Sequence, residues 1–388
     1  MHPFIRFMRS RAARFLAGVG FGAAALLAGC GGGGGSESGT LRLSLTDAPA
    51  CGYDNVWVNV QKVRVHHSSS ASPSDDGWSE IAVNRRIDLL GLTNGVLDEL
   101  GQTPLPTGKY QQMRLVLAAT GNSVVLSSDH SEVPLTTPSG VQTGIKMNID
   151  IDIAANKMAD FVLDFDACKS VVRAGSSGSY LLKPVVSVIA HFVSGVLGFV
   201  DTSLAGASVS LQQAGVIVKS TVADSTGKFL LQPVAPGTYD LVVLASGHAT
   251  AVVTDVVVTT DTVTSINTST SGLNPPVSTS GTAAGVVTTG ATPIDATVNV
   301  MQALSGGHTI EVAGAPVDAV TGSYSYALAA DAPVVAPFVA PPGPLTFVAD
   351  AAVAGTYSLA AISGGVTKTA GPITITSGVT VTTDFTFP

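Results

Sequence analysis

Three cysteines, Cys30, Cys51 and Cys168, are all that 388 residues contain, and no two are spaced as Cys-x-x-Cys. That excludes zinc knuckles and thioredoxin-type redox sites, which need thiols a few residues apart. His-Glu-x-x-His, Gly-x-Ser-x-Gly and the phosphate-binding loop are absent as well. With them go the corresponding zinc peptidases, nucleophile-elbow hydrolases and P-loop enzymes. Charge is scarce: 12% of residues are Asp, Glu, Lys or Arg, and the formal net charge is −8. No basic cluster suited to phosphate occurs, so nucleic acid is not an expected partner. Long helical periodicity is nearly missing. The apolar stretch at residues 15–27 is too short, and too broken by glycine, for a membrane span.

What that stretch does have is context. Arg6, Arg9, Arg11 and Arg14 precede it, no acidic residue comes before Glu37, and Leu27-Ala28-Gly29-Cys30 follows. A basic segment, a short apolar segment and small residues at a cut describe a secretory signal peptide. The cysteine right after the small residues makes it resemble a bacterial lipoprotein signal. The resemblance implies cleavage after residue 29 and acylation of Cys30, at the thiol and at the new amine. Two or three acyl chains anchor a protein stably where one would be marginal. Residues 30–39 then read as a lipidated cysteine followed by a Gly/Ser tether, a flexible coil. Gly31 stands where an aspartate would favour inner-membrane retention, so the resemblance implies the outer membrane of a Gram-negative cell envelope.

The rest is rich in Val, Thr, Ser and Ala, with 42 Gly and 21 Pro. Thr and Val favour strands, and Gly and Pro punctuate turns. The expected class is all-β, a series of β-sandwich domains of immunoglobulin or prealbumin type on a lipid-anchored tether. Lipidation of Cys30 leaves Cys51 and Cys168. In an oxidising compartment an even remainder points to one disulfide, the alternative being two buried thiols. The long loop that a Cys51–Cys168 bond closes would stabilise by roughly 4–5 kcal/mol in the chain-entropy description.

Residues 40–193 read as the first domain. Leu41 to Leu45, Val56 to Val60 and Val63 to Val65 alternate as strands. Leu89 to Leu92 and Val96 to Leu100 are its only plausible helical turns. Leu43-Ser44-Leu45-Thr46-Asp47-Ala48-Pro49 opens a series of motifs. Gly77-Trp78, Asp88-Leu89-Leu90 and Leu105-Pro106-Thr107-Gly108-Lys109-Tyr110 follow. Asp164-Phe165-Asp166-Ala167, Ser170-Val171-Val172 and Tyr180-Leu181-Leu182-Lys183-Pro184 close it. In this order they resemble the domain of unknown function 4382 family of exported prokaryotic lipoproteins. The resemblance implies location and architecture, and no activity.

The candidate site of this domain is an acidic ladder. Asn148-Ile149-Asp150-Ile151-Asp152-Ile153 and Phe161-Val162-Leu163-Asp164-Phe165-Asp166 both alternate strictly, and a hairpin turn is expected between them. With the isoleucines and Phe161, Leu163 and Phe165 inward, Asp150, Asp152, Asp164 and Asp166 share the opposite face. Like charges opposed in a sheet are destabilising. Water and salt, a lysine such as Lys169 or Lys183, or a calcium ion could offset them, since calcium takes six to eight oxygens. Paired carboxylates could also act as acid and base in glycoside hydrolysis. The histidines offer less. His66 and His67 are adjacent on a strand end and point to opposite faces, and His191 reads as a core residue.

Residues 194–268 form a second unit. Its Asp224-Ser225-Thr226-Gly227 and Pro236-Gly237-Thr238-Tyr239 turns make it resemble the carboxypeptidase regulatory-like domain, a small prealbumin-type sandwich that brings no catalytic residues. Residues 269–280, with Pro275-Pro276, read as a linker. Residues 281–388 look like a diverged repeat of the second unit, carrying Thr321-Gly322-Ser323-Tyr324 and Gly355-Thr356-Tyr357. Its Pro/Ala-rich insertion, residues 329–354, is expected to be a flexible solvated loop or a partner-binding one. In the three Gly-x-Tyr turns, glycine is expected to supply an unusual backbone angle and tyrosine to point inward.

The expected function is non-catalytic: a cell-envelope scaffold or binding and adhesion module, held to the membrane by its lipid, meeting an envelope protein or a glycan. One alternative is a glycan- or polymer-binding accessory protein, supported if Trp57 or Trp78, Tyr53 and Tyr110 share an exposed face. The other is a hydrolase built on the acidic ladder, which needs the four aspartates in one cleft.

Overall fold

Alternation becomes structure first in the strand Ser38–Asp47, where Leu41, Leu43 and Leu45 are buried on one face. The computed structural model describes residues 37–47, 52–137, 143–341 and 344–388. Signal residues 1–29, Cys30, most of the tether and Cys51 lie outside the described residues. Ser38–Asp47 runs antiparallel to Asp98–Pro106 and parallel to Met158–Phe165, and Val186–Ala190 completes a four-stranded sheet. Facing it is an eight-stranded sheet built around Tyr53–His66, Gly108–Leu117 and Ile145–Ile153. Leu43, Val58, Tyr110, Met113, Leu115 and Phe165 belong to the core that the two sheets enclose. Such two-layer burial is the usual way to cover two half-apolar sheets.

The helical content is smaller than the sequence suggests, and partly elsewhere. Leu89–Leu92 is a 3-10 turn whose start is capped by the Asp88 carboxylate, which accepts from the Leu90 N–H. Residues 96–100 are not helical. They lead into the strand Asp98–Pro106, because pairing with Ser38–Asp47 outweighs local propensity. The one α-helical turn among the described residues, Ala167–Ser170, was not expected. Asp166 caps it by accepting from the Lys169 N–H.

The second and third sandwiches share a plan. Gly195–Phe199 lies between Lys228–Leu231 and Val263–Ser265, facing a sheet of Val216–Val222, Ser208–Gln213, Gly237–Leu244 and Ala251–Val258. Ser280–Thr288 lies between Ser323–Ala329 and Thr380–Thr382, facing Thr309–Pro316, Ala296–Ala303, Thr356–Ser363 and Val366–Thr374. The Gly-x-Tyr turns place Tyr110, Tyr239 and Tyr357 in the three cores, each at most 6% exposed. Gly108 and Gly355 take positive φ (+138° and +59°). Gly237 does not. Its reason is space, since a Cβ there would stand 3.0 Å from the Tyr239 hydroxyl oxygen.

The insertion at residues 329–354 is not a solvated loop. Its strand Val334–Pro337 pairs in parallel with Ala251–Val258 of the second sandwich, and Val348–Ala349 pairs on its far side. Phe338, Leu345 and Phe347 pack against the second core. The physical reason is an open edge: Ala251–Val258 would otherwise present unpaired backbone groups to solvent. Residues 269–280 are likewise not a free linker. Leu273 is 4% exposed and donates its N–H to Phe199, while the Pro276 and Gly247 carbonyls accept from Ala249 and Ser278.

Candidate functional site: the junction of three sandwiches

The acidic ladder does not form. Ile145–Ile153 and Met158–Phe165 are not partners: the first pairs with Gly108–Leu117 in the large sheet, the second with Ser38–Asp47 in the small one. The short connection that reads as a hairpin turn instead carries the chain from one sheet to the other. Asp150 and Asp152 therefore stand exposed beside Lys109, whose Nζ is 2.5 Å and 3.6 Å from their carboxylates. Asp164 and Asp166 lie elsewhere, each with a lysine of its own. Among the described residues no group of three or more His, Cys, Asp or Glu is placed to hold a metal ion. The four carboxylates share neither a calcium site nor a catalytic cleft.

Asp164 and Asp166 open instead onto a junction between domains. Lys219 of the second sandwich reaches Asp164 at 2.8 Å, with 2% and 12% of the two side chains exposed. Lys169 lies 3.8 Å from Asp166 and 3.4 Å from Glu311 of the third sandwich. Burial pushes the Asp166 and Glu311 carboxyls up, against the pull of Lys169. Gln212, wholly buried in the second sandwich, pairs with the Glu311 backbone. Its Nε2 donates to the carbonyl at 2.9 Å, and its Oε1 accepts from the N–H at 2.7 Å. A buried side-chain amide satisfied on both ends by another domain's backbone fixes register as a strand pair would.

Further contacts spread outward from this hub. Asn94 of the first sandwich, at a left-handed φ of +55°, accepts from Leu230 and donates to the Val222 carbonyl of the second. Its own N–H goes to the Thr221 hydroxyl at 2.8 Å. His308 of the third meets Asp240 of the second at 3.0 Å. Asp318 of the third accepts the Gly175 N–H of the first. Between the second and third sandwiches, Val242, Val252, Leu304 and Ile310 form an apolar cluster of their own. The outward face of Met158–Phe165 is covered as well, Val162 being fully buried.

The aromatic residues do not form a platform. Tyr110 is in the core, 1% exposed, with His67 stacked at 4.0 Å. Trp57 lies under Arg86, and Trp78 has the Arg64 and Arg114 guanidinium groups over its ring at 4.7 and 5.6 Å. Tyr53 packs edge-on against Tyr180, and burial pushes its hydroxyl up to about 12. His66 and His67 separate as expected, to the Asp76 and Lys109 carbonyls. His191 is half-buried, with its Nδ1 2.9 Å from Asp160. Cys168 lies in the turn Ala167–Ser170 and is disulfide-bonded. Its expected partner Cys51 is outside the described residues.

Sequence reasoning passed over Lys219, Gln212, Glu311 and Arg114. Their signal was there: each is a long polar side chain inside an apolar strand, as in Met113-Arg114-Leu115 and Ile310-Glu311-Val312. In a chain with so little charge, such a residue marks a face that another element covers.

Fold and junction together define a modular all-β protein of serial β-sandwiches, docked through polar side chains and a donated strand. Residues 38–184 match the family described as domain of unknown function (DUF4382), and residues 196–271 match the carboxypeptidase regulatory-like domain. No curated protein matches the chain. Similar solved structures include a type II cohesin–X-dockerin complex from Acetivibrio cellulolyticus, at 29% identity over 21% of this chain and 55% of that one, TM-score 0.17. The Bacillus anthracis TIE protein aligns at 11% identity over 90% of this chain and 50% of that one, TM-score 0.17. The minor pilin GBS52 of Streptococcus agalactiae aligns at 11% over 51% and 84%, TM-score 0.15. The chain thus spans about half the length of the first two. Superpositions at such TM-scores define no function.

Proposed function

We propose that this protein is a non-catalytic, exported lipoprotein whose three sandwiches act as one stiff scaffold or binding arm of the cell envelope. Lipid on Cys30 anchors it, and the Gly/Ser stretch that follows lifts it off the bilayer. Gly31 favours the outer membrane. A Cys51–Cys168 disulfide closes the first sandwich. The observation that carries the scaffold reading is the donated strand: Val334–Pro337 of the third sandwich completes a sheet of the second. Sandwiches strung as independent beads have no need of this, whereas an arm that must hold a surface at fixed distance and orientation does. The anchor is tested by Cys30→Ala in the producing cell. Loss of palmitate labelling and of membrane fractionation supports the reading, and retention of both contradicts it.

A further inference from the structure

A row of cations crosses the outer face of the large sheet. Arg64, Arg114 and Lys146 stand directly opposite one another on the strands Tyr53–His66, Gly108–Leu117 and Ile145–Ile153. Like charges in such register destabilise a sheet unless something offsets them. Arg64 has its offset, with its Nε 2.9 Å from the Glu80 carboxylate. Arg114 is 7% exposed and, among the described residues, has no carboxylate partner: it donates to the Thr143 and Ala71 carbonyls at 2.7 and 3.4 Å and lies over the Trp78 ring at 5.6 Å. Its Nε is buried without a hydrogen-bond partner. Burial and the neighbouring Arg64 both lower its pKa. A buried charge without a counter-charge is costly, and such a group favours an anion near it.

Arg114 and Lys146 line a cavity of about 650 Å³ between the first and third sandwiches. Lys169 and Lys183 line it too, against the single carboxylate of Asp295. Lys183 is held by the Ile294 carbonyl and by Asp295, both near 3 Å, and Lys169 by Glu311. Lys146 is exposed and, among the described residues, makes no ion pair. Four cations around one cavity are out of keeping with a chain of net charge −8. Walls of low dielectric strengthen the field such a cluster projects. The volume is far larger than an inorganic anion needs and falls among small-ligand pockets. Pro184, Pro293 and Pro316 supply stiff apolar walls, while Asp295 and Thr297 can accept hydroxyl protons.

We propose that this cavity binds a small polyhydroxylated organic anion, a sugar acid or sugar phosphate. The anionic group lies on Lys146 with the Arg114 charge behind it, and the ring lies against the prolines. This goes beyond the scaffold reading and rests on its docking of the first sandwich against the third; separate melting transitions would remove that docking, whereas absence of binding in a chain that melts as one body would remove only the ligand site.

The test is calorimetric titration of the mature chain with glucuronate, galacturonate, glucose 6-phosphate, inorganic phosphate and glucose. Binding of at least one sugar anion is expected, with none of glucose. Lys146→Glu is expected to weaken that binding at least tenfold, and added salt to weaken it too. Lys146 is exposed and the new carboxylate faces Arg114 across the strands, so the variant should melt at or above the parent temperature, and a melt measured alongside the titration separates loss of binding from loss of fold. Arg114→Met, which can disturb folding, serves as a second variant, read only if its melting transition is retained. No heat with any sugar anion overturns the proposal, and so does binding that Lys146→Glu leaves unchanged. Inorganic phosphate binding as tightly as glucose 6-phosphate overturns the saccharide assignment.

Discussion

Lys219 of the second sandwich and Asp164 of the first form an ion pair at 2.8 Å that water barely reaches. Removing one member of a buried pair strands the other charge, which costs roughly 3–5 kcal/mol. Lys219→Met should therefore lower the unfolding free energy by about that amount. Adding Asp164→Leu to it should restore much of the loss, because both charges are then gone. Urea denaturation of the three proteins checks this. A cost within a few tenths of a kcal/mol for Lys219→Met, as for an exposed pair, would show that the sandwiches do not dock here.

The donated strand can be cut at its backbone hydrogen bonds. Val334 and Phe338 donate to the Thr250 and Thr254 carbonyls, and Ala336 lies between them, wholly buried opposite Val253. Proline at 336 has no N–H and cannot continue that ladder. The carbonyl left without a donor costs about 1–3 kcal/mol by itself. Ala336→Pro should destabilise by at least that and make the peptide bonds of residues 338–341 and 344–347 sensitive to protease. Val348→Thr, at a residue 65% exposed, should do neither.

Acid should act on the contact between the first and third sandwiches. Burial alone would raise the Asp318 carboxyl. Backbone donors from Thr321, Val320 and Gly175 outweigh it, so its pKa lies below the ordinary 3.8. A carboxyl lowered in the folded state stabilises above its unfolded pKa, and that stability is lost as pH falls through the folded value. Asp166 and Glu311 have the opposite sign. Their raised carboxyls favour the folded state at low pH, and that favour is lost as pH rises through their folded values. Asp318→Asn should cost about 1 kcal/mol at neutral pH and flatten the acid limb of stability below pH 3.8. Melting temperature against pH for parent and variant decides this, and parallel acid limbs would contradict it.

Thiol chemistry gives a further test. If Cys30 is acylated and Cys51 is paired to Cys168, as proposed, alkylation of the unreduced mature protein should label no cysteine. Cys168→Ser should cost about 2–5 kcal/mol, the usual range for a native disulfide. Two labelled cysteines in intact mass analysis would contradict the pairing.

Strands, turns and inward tyrosines were legible because alternation is a local signal. Tyr110, Tyr239 and Tyr357 sit where their turns place them. Partners were not legible, because pairing is non-local. The connection after Ile153 is as short as a hairpin turn yet crosses between sheets, and nothing in its residues distinguishes the two. Asp164 alternates as an outward residue and is outward with respect to its own sheet. What covers that face, the strand bearing Lys219, lies 55 residues away. The insertion at 329–354 lacks periodicity because its pairing strands are only four and two residues long. The junction was unreadable for the same reason: Lys219 with Asp164, Gln212 with the Glu311 backbone and Lys169 with Glu311 all pair across domains.

If the three sandwiches behave as one body, scanning calorimetry of the mature chain should show a single transition whose calorimetric and van't Hoff enthalpies agree, and that transition should separate into distinct ones in Lys219→Met and Ala336→Pro. Two or three independent transitions in the unaltered chain would contradict it.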